Sequence, residues 1–257
     1  KTALQHSQAI YAKASAENNT GQMLKAALVT LQLNGTISPD SGDVYLARFD
    51  SMAKREERPV VKAMMNLSLA RLHADRQRYD DPAEGYMALA CYAAATVDLS
   101  IFEGHKTSEF IPATIIKNDS RYFGHDLLAF VCREAVPGLA NVNYSSTDAN
   151  SVAAMRRNLS HRFIEHYRAA GNGNAVVLAT VDSLEREGAL FITHEGQTDS
   201  SSYKVARQLI EQYDGNTCAV EAYIYACQWL RNKTKGRKEC LELARLGAKK
   251  YASNKRS

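Results

Sequence analysis

His161 and His166, in the run HRFIEH, have the right residue type to hold a metal but the wrong separation. A helical zinc pair needs a spacing of four with an acid between, as in HExxH, so that both imidazoles leave one face. A spacing of five turns the second ring away, and no third ligand stands nearby. His194 and Glu195, with Asp199 and Ser200 close behind, have the types of an acid–base site. They sit in a glycine-flanked loop where nothing orients one toward another, so a solvated loop is the simpler reading. His125 and Asp126 are adjacent. On a helix that sets their side chains about 100° apart, which suits capping and hydrogen bonding between helices rather than a proton relay. The cysteines Cys91, Cys132, Cys218, Cys227 and Cys240 each lie among Ala, Leu, Val or Tyr, with no CxxC. That is the usage of buried apolar thiols, not of a zinc site or a disulfide frame. GxSxG, Walker-type and dinucleotide glycine patterns are absent, and Gly171-Asn172-Gly173 reads as a helix joint because no strand precedes it. The sequence therefore nominates no catalytic, cofactor-binding or metal-binding residue. Asn-x-Ser/Thr triplets occur at Asn18, Asn34, Asn66, Asn118, Asn143, Asn158 and Asn232. Asn66 and Asn158 fall inside expected helices, which points to chance rather than glycosylation.

The elements that would carry these residues are helical. Alanine is abundant, proline is limited to 5 residues, and Leu, Ala, Glu, Lys, Arg and Gln fill the periodic segments. A chain of 257 residues buries roughly three quarters of its unfolded surface, so neither disulfides nor metal are needed to hold a core. The longest apolar runs are too short to span a bilayer. The formal charge of +4 is concentrated at the end: Arg231 to Ser257 holds ten Lys or Arg against Glu239 and Glu242, which leaves the first 230 residues slightly acidic. A nucleic-acid platform would spread its charge along the array with aromatics interleaved, so a solvated terminal helix is favoured. The start at Lys1 without Met and the basic finish read as a piece of a longer polypeptide.

Along the chain, helices are expected over Thr2–Asn18, from Met23 onward, Val44–Glu56, Val60 to about Tyr79 after Pro59 in the first turn, and Ala83–Val97. Leu33–Gly42, with Asn34-Gly35 and Ser38-Pro39-Asp40, reads as a turn. Residues 98–119 are irregular, either a functional loop or one laid across the array. Ser120 to Gly138, SRYFGHDLLAFVCREAVPG, is expected to be a mostly buried central helix, capped by Asp119 or Ser120 and stopped by Pro137-Gly138. Further helices follow at Ser151–Ala169, Ala175–Glu187, Ser202–Tyr213, Thr217–Arg231 and Arg237–Tyr251. The spacing Cys240, Ala244, Gly247, with Tyr251 behind it, resembles the second helix of a tetratricopeptide repeat, although Ala252 stands where a Pro often closes the unit.

Two stretches carry a wider resemblance. TALQHSQAIYAKASAENN at Thr2 to Asn19, followed by a helix opening Met23-Leu24-Lys25-Ala26, and the central SRYFGHDLLAFVCREA resemble the N-terminal helical region of the large alpha-2-macroglobulin-family proteins of Bacteroidetes-type bacteria. The resemblance implies a secreted polypeptide, periplasmic or associated with the outer membrane, whose macroglobulin domains and any thioester or bait machinery lie downstream. That family's covalent trap needs Cys-x-Glu-Gln. Cys132-Arg133-Glu134-Ala135 and Cys240-Leu241-Glu242-Leu243 both lack the Gln, so this segment does not itself form the thioester.

The expectation is an all-α solenoid of antiparallel helical hairpins, tetratricopeptide-like toward its end, with hairpins over 1–137 and 138–257 forming one continuous array. Its function would be that of a non-enzymatic scaffold without cofactors. It would engage downstream macroglobulin-type domains or an envelope protein, with no nucleic acid and no membrane span. Two rivals remain: an all-α hydrolase that gathers several of His161, His166, His194, Glu195 and Asp199, and a basic helical repeat that binds nucleic acid.

Overall fold

The computed structural model describes residues 2–37, 42–77, 82–110, 113–114, 121–145, 148–188, 200–231, 233 and 236–253. These residues are helical, with no strand among them beyond an isolated antiparallel bridge between Lys106 and Asp126. The helices are α1 (Thr2–Ala16), α2 (Thr20–Ile37), α3 (Gly42–Arg55), α4 (Pro59–Arg76), α5 (Ala83–Thr96), α6 (Leu127–Asn141), α7 (Ala149–Ala169), α8 (Gly173–Gly188), α9 (Ser200–Gln212), α10 (Ala219–Arg231) and α11 (Arg237–Lys250). The chain divides into two compact units, Lys1–Leu159 and Ser160–Ser257.

In the first unit, α4 is the inner rod. It packs against α2, α3, α5 and α6, and Val61, Met64, Met65, Leu67 and Leu69 along it are almost wholly buried. A helix that is apolar most of the way round has to be surrounded, whereas α1 buries only Ser7 and Ala14 and lies at an edge against α2. Pro59 opens α4 at a position whose amide would have no helical partner.

One ion pair ties two joints together. Arg58 donates from its backbone, Nε and Nη2 to the Glu56 carboxylate at 2.8–2.9 Å, and from Nη1 to Asn18 Oδ1 in the α1–α2 turn at 2.9 Å. These hydrogen bonds hold the Glu56 carboxyl below its usual range against the opposing effect of burial. Because the folded value is depressed, the stability it supplies is complete above the ordinary carboxylate range and is lost as pH falls through the lowered value. Glu56→Gln is expected to cost about 1–3 kcal/mol at neutral pH and to flatten the acid limb of the stability profile, read by urea denaturation from pH 7 downward.

Two sequence expectations are corrected here. The turn expected to begin at Leu33 is helical as far as Ile37, because burial of Asn34 at 5 % exposure in the α2 packing overrides the local Asn-Gly turn preference. Ser38 to Ser41 lie outside the described residues. The central helix is buried as expected, with Leu127, Phe130, Val131 and Cys132 at 0–2 % exposure, but it begins at Leu127 and runs through Pro137 to Asn141. Proline removes one rung of the ladder without stopping the helix, since packing holds the turns on either side. Gly138 allows α6 to approach α5: a Cβ there would stand 2.2 Å from the Tyr92 hydroxyl. Asp119 and Ser120, the expected caps, lie outside the described residues. Asp126 occupies the N-cap position without a side-chain cap, and its carboxylate pairs with Lys106.

The described part of the 98–119 segment is laid across the unit. Short 3₁₀ turns at Ser100–Phe102 and Thr107–Phe110 bury Phe102 and Phe110, and the second turn packs on α2. Thr107 N–H donates to the His125 carbonyl and Leu127 N–H to the His105 carbonyl, clipping the segment to the start of α6. At the other end of α6, the Gln77 amide grips the chain as it leaves the helix: its Nε2 donates to the Asn141 carbonyl and its Oε1 accepts from the Asn143 N–H, both at 2.8 Å.

In the second unit α10 is the inner rod, packed against α8, α9 and α11, with Ala219, Val220, Ala222, Tyr223, Ala226 and Leu230 buried. Asn172 Oδ1 accepts from the Ala175 N–H at the start of α8, so the Gly171–Gly173 joint is a helix start as read from sequence.

Candidate functional site

The residues singled out for chemistry do not converge among the described residues. His161 and His166 both lie on α7. His161 is exposed, with its Nδ1 3.9 Å from Glu165, and His166 stacks edge-on against Tyr167 with centroids 5.0 Å apart. His194, Glu195 and Asp199 lie outside the described residues. His125 is exposed with φ at 56°, and its carbonyl accepts from the Thr107 N–H. Among the described residues no group of three or more His, Cys, Asp or Glu is placed to hold a metal ion, and no helix is long and apolar enough to cross a membrane. Of the C-terminal cations, Lys250 pairs with Asp214 and Lys233 lies over the Trp229 ring.

One histidine that sequence reading passed over is engaged in the core. His73 on α4 is 6 % exposed, its Nδ1 lies 2.5 Å from Glu84 on α5, and Glu84 in turn pairs with Arg76, which also binds Asp43. The network links α3, α4 and α5. Among the described residues His73 Nε2 is buried with no partner.

The groove with the most recognition chemistry lies among α1, α2 and α3 and encloses about 240 Å³. Its apolar lining is Ala27, Leu31, Phe49 and Met52, and its polar groups are Gln8, Tyr11, Thr30, Asn34, Tyr45 and Arg48. The sequence sets this up simply. Ala27, Leu31 and Asn34 recur at three- and four-residue spacing on α2, as do Tyr45, Arg48, Phe49 and Met52 on α3, so each set leaves one face. Ser7 donates to the Ala26 carbonyl at 2.8 Å and lies 2.6 Å from the Thr30 hydroxyl, fixing α1 against α2. Burial pushes the Tyr11 hydroxyl up, with the Glu56 carboxylate adding to the shift and Arg58 opposing it, so the phenol remains a neutral donor. The Arg48 guanidinium sits 5.5 Å over the Tyr45 ring and is exposed at the mouth.

Asn34 is the polar lining residue set deepest in the groove, at 5 % exposure. An amide carries a donor and an acceptor side by side, which matches the edge of a peptide unit.

The cysteines divide into two groups. Cys91, Cys132 and Cys218 are buried, as their apolar neighbours suggested, and burial raises the Cys91 thiol to about 11. Cys227 and Cys240 are half-exposed and face each other across the α10–α11 pair. A sequence signal for this pairing existed. Cys227 lies four residues before the end of α10 and Cys240 three after the start of α11, and positions nearly equidistant from a hairpin joint meet.

Searches against protein-family profiles, curated proteins and solved structures return no match to this chain.

Proposed function

We propose that the chain is a non-enzymatic helical scaffold that holds an extended polypeptide segment in the α1–α2–α3 groove. The observation that carries this reading is a groove that sets the Asn34 amide at 5 % exposure between two tyrosines and an exposed guanidinium. Tyrosines supply contact area at low entropic cost, Arg48 favours a carboxylate on the bound segment, and Asn34 reads the backbone between them.

The finer architecture belongs to the same proposal: a solenoid of hairpins, tetratricopeptide-like in the second unit. Its support is the close α10–α11 approach, where a Cβ on Gly247 would stand 3.2 Å from the Tyr223 ring. The setting proposed is the front of a macroglobulin-like envelope polypeptide, with the bound segment supplied by its downstream domains or by a separate envelope protein. Its support is the pair of stretches at Thr2–Asn19 and Ser120–Ala135.

Panning a linear peptide library against the intact chain is expected to enrich related acidic sequences, and Asn34→Leu to weaken their binding roughly tenfold. Unchanged affinity in a folded Asn34→Leu variant, or no enrichment, would rule the groove out.

A further inference from the structure

Cys227 and Cys240 are 13 positions apart and share the face along which α10 and α11 pack. The Cys227 thiol donates to the Cys240 carbonyl at 3.6 Å and the Cys240 thiol donates back to the Cys227 carbonyl at 3.5 Å. The reciprocal contacts place each sulfur on the other residue's backbone. Both are half-exposed, unlike the other three cysteines, and both line a groove of about 300 Å³ with Tyr223, Ala244 and Gly247. Ala244 and Gly247 present little bulk, so the helices approach closely at the thiols. Burial pushes the Cys227 thiol up to about 11, and the adjacent Cys240 thiol adds to the shift.

We propose that Cys227 and Cys240 form a redox dithiol that a disulfide donor oxidises to an interhelical disulfide, locking the α10–α11 hairpin. One cysteine, as its thiolate, attacks a sulfur of the donor disulfide and releases one donor thiol, leaving a mixed disulfide on the protein. The second cysteine loses its proton and attacks the protein sulfur of that mixed disulfide. The Cys227–Cys240 bond forms as the second donor thiol leaves. Two electrons pass to the donor, and the two protons end on its thiols. The neighbouring thiol makes the second step intramolecular, so the mixed disulfide is short-lived.

The test treats the reduced, intact chain with oxidised glutathione, quenches with an alkylating agent and maps the peptides without reduction. The expected result is a loss of two hydrogen masses, no retained glutathione, and a Cys227–Cys240 bridge in roughly tenfold excess over any other linkage. Cys227→Ser and Cys240→Ser are each expected to accumulate a glutathione adduct on the remaining cysteine, while Cys91→Ser behaves as the parent chain. Persistent adducts on both cysteines of the parent chain, bridges distributed over Cys91, Cys132 or Cys218, or no reaction at either thiol would overturn the proposal.

Discussion

Phe130→Ala is expected to remove about 3–5 kcal/mol from the first unit, the largest loss expected for any single truncation in α6. Phe130 is 1 % exposed on a helix whose neighbours Leu127, Val131 and Leu139 are also fully buried, so the surrounding side chains have little freedom to collapse into the space left. The penalty combines the lost transfer of the ring from water with the cavity that remains. Chemical denaturation followed by far-ultraviolet circular dichroism should show the helical transition moving to lower denaturant. Trp229, the chain's single tryptophan, lies in the second unit, so its fluorescence reports that unit separately. A shift below about 1 kcal/mol in the helical signal would mean that the ring is not packed as described.

Gly85→Ala is the second large effect, and its sign is opposite to the intrinsic preference. In an exposed helix interior, alanine is favoured over glycine by about 1 kcal/mol. At Gly85, in the first turn of α5, a Cβ would stand 1.9 Å from the Asn143 carbonyl oxygen, a backbone atom that cannot rotate aside. The chain leaving α6 must then shift, and it is tied there by Gln77 at Asn143 and by Tyr86, whose hydroxyl donates to Asp148 at 2.9 Å and accepts from the Ser145 N–H. A loss of about 3 kcal/mol or more is expected, at the upper end of what overpacking usually costs. Thermal unfolding of the parent and variant chains decides it: a variant as stable as its parent would show that the approach of Asn143 to α5 is looser than described.

Much of the helical order was legible because long periodic segments and short polar joints speak strongly. The expected α1, α3, α4 and α5 and the three helices at the end of the chain stand within a few residues of their limits. The departures share one physical cause. Asn34-Gly35 and Pro137-Gly138 are local stop signals, and both are overridden where packing buries Asn34 or seats Gly138 against Tyr92. The candidate groove was illegible for the same reason. Local signals place Asn34 in a turn, and the other polar groups come from three helices whose faces converge only once packed. Composition alone makes core thiols of Cys227 and Cys240, while their near-symmetric placement about the α10–α11 joint carries the contrary information.

The proline within α6 also affects how that helix comes apart. With one rung missing at Pro137, the final turn to Asn141 is held in part by the Gln77 amide, a side chain reaching from beyond the end of α4. The rung lost at Pro137 is thus made good from outside the helix, and the last turn of α6 opens only when the Gln77 contacts to Asn141 and Asn143 are released, so substitution of Gln77 is felt at this end before it reaches the stretch bearing Phe130.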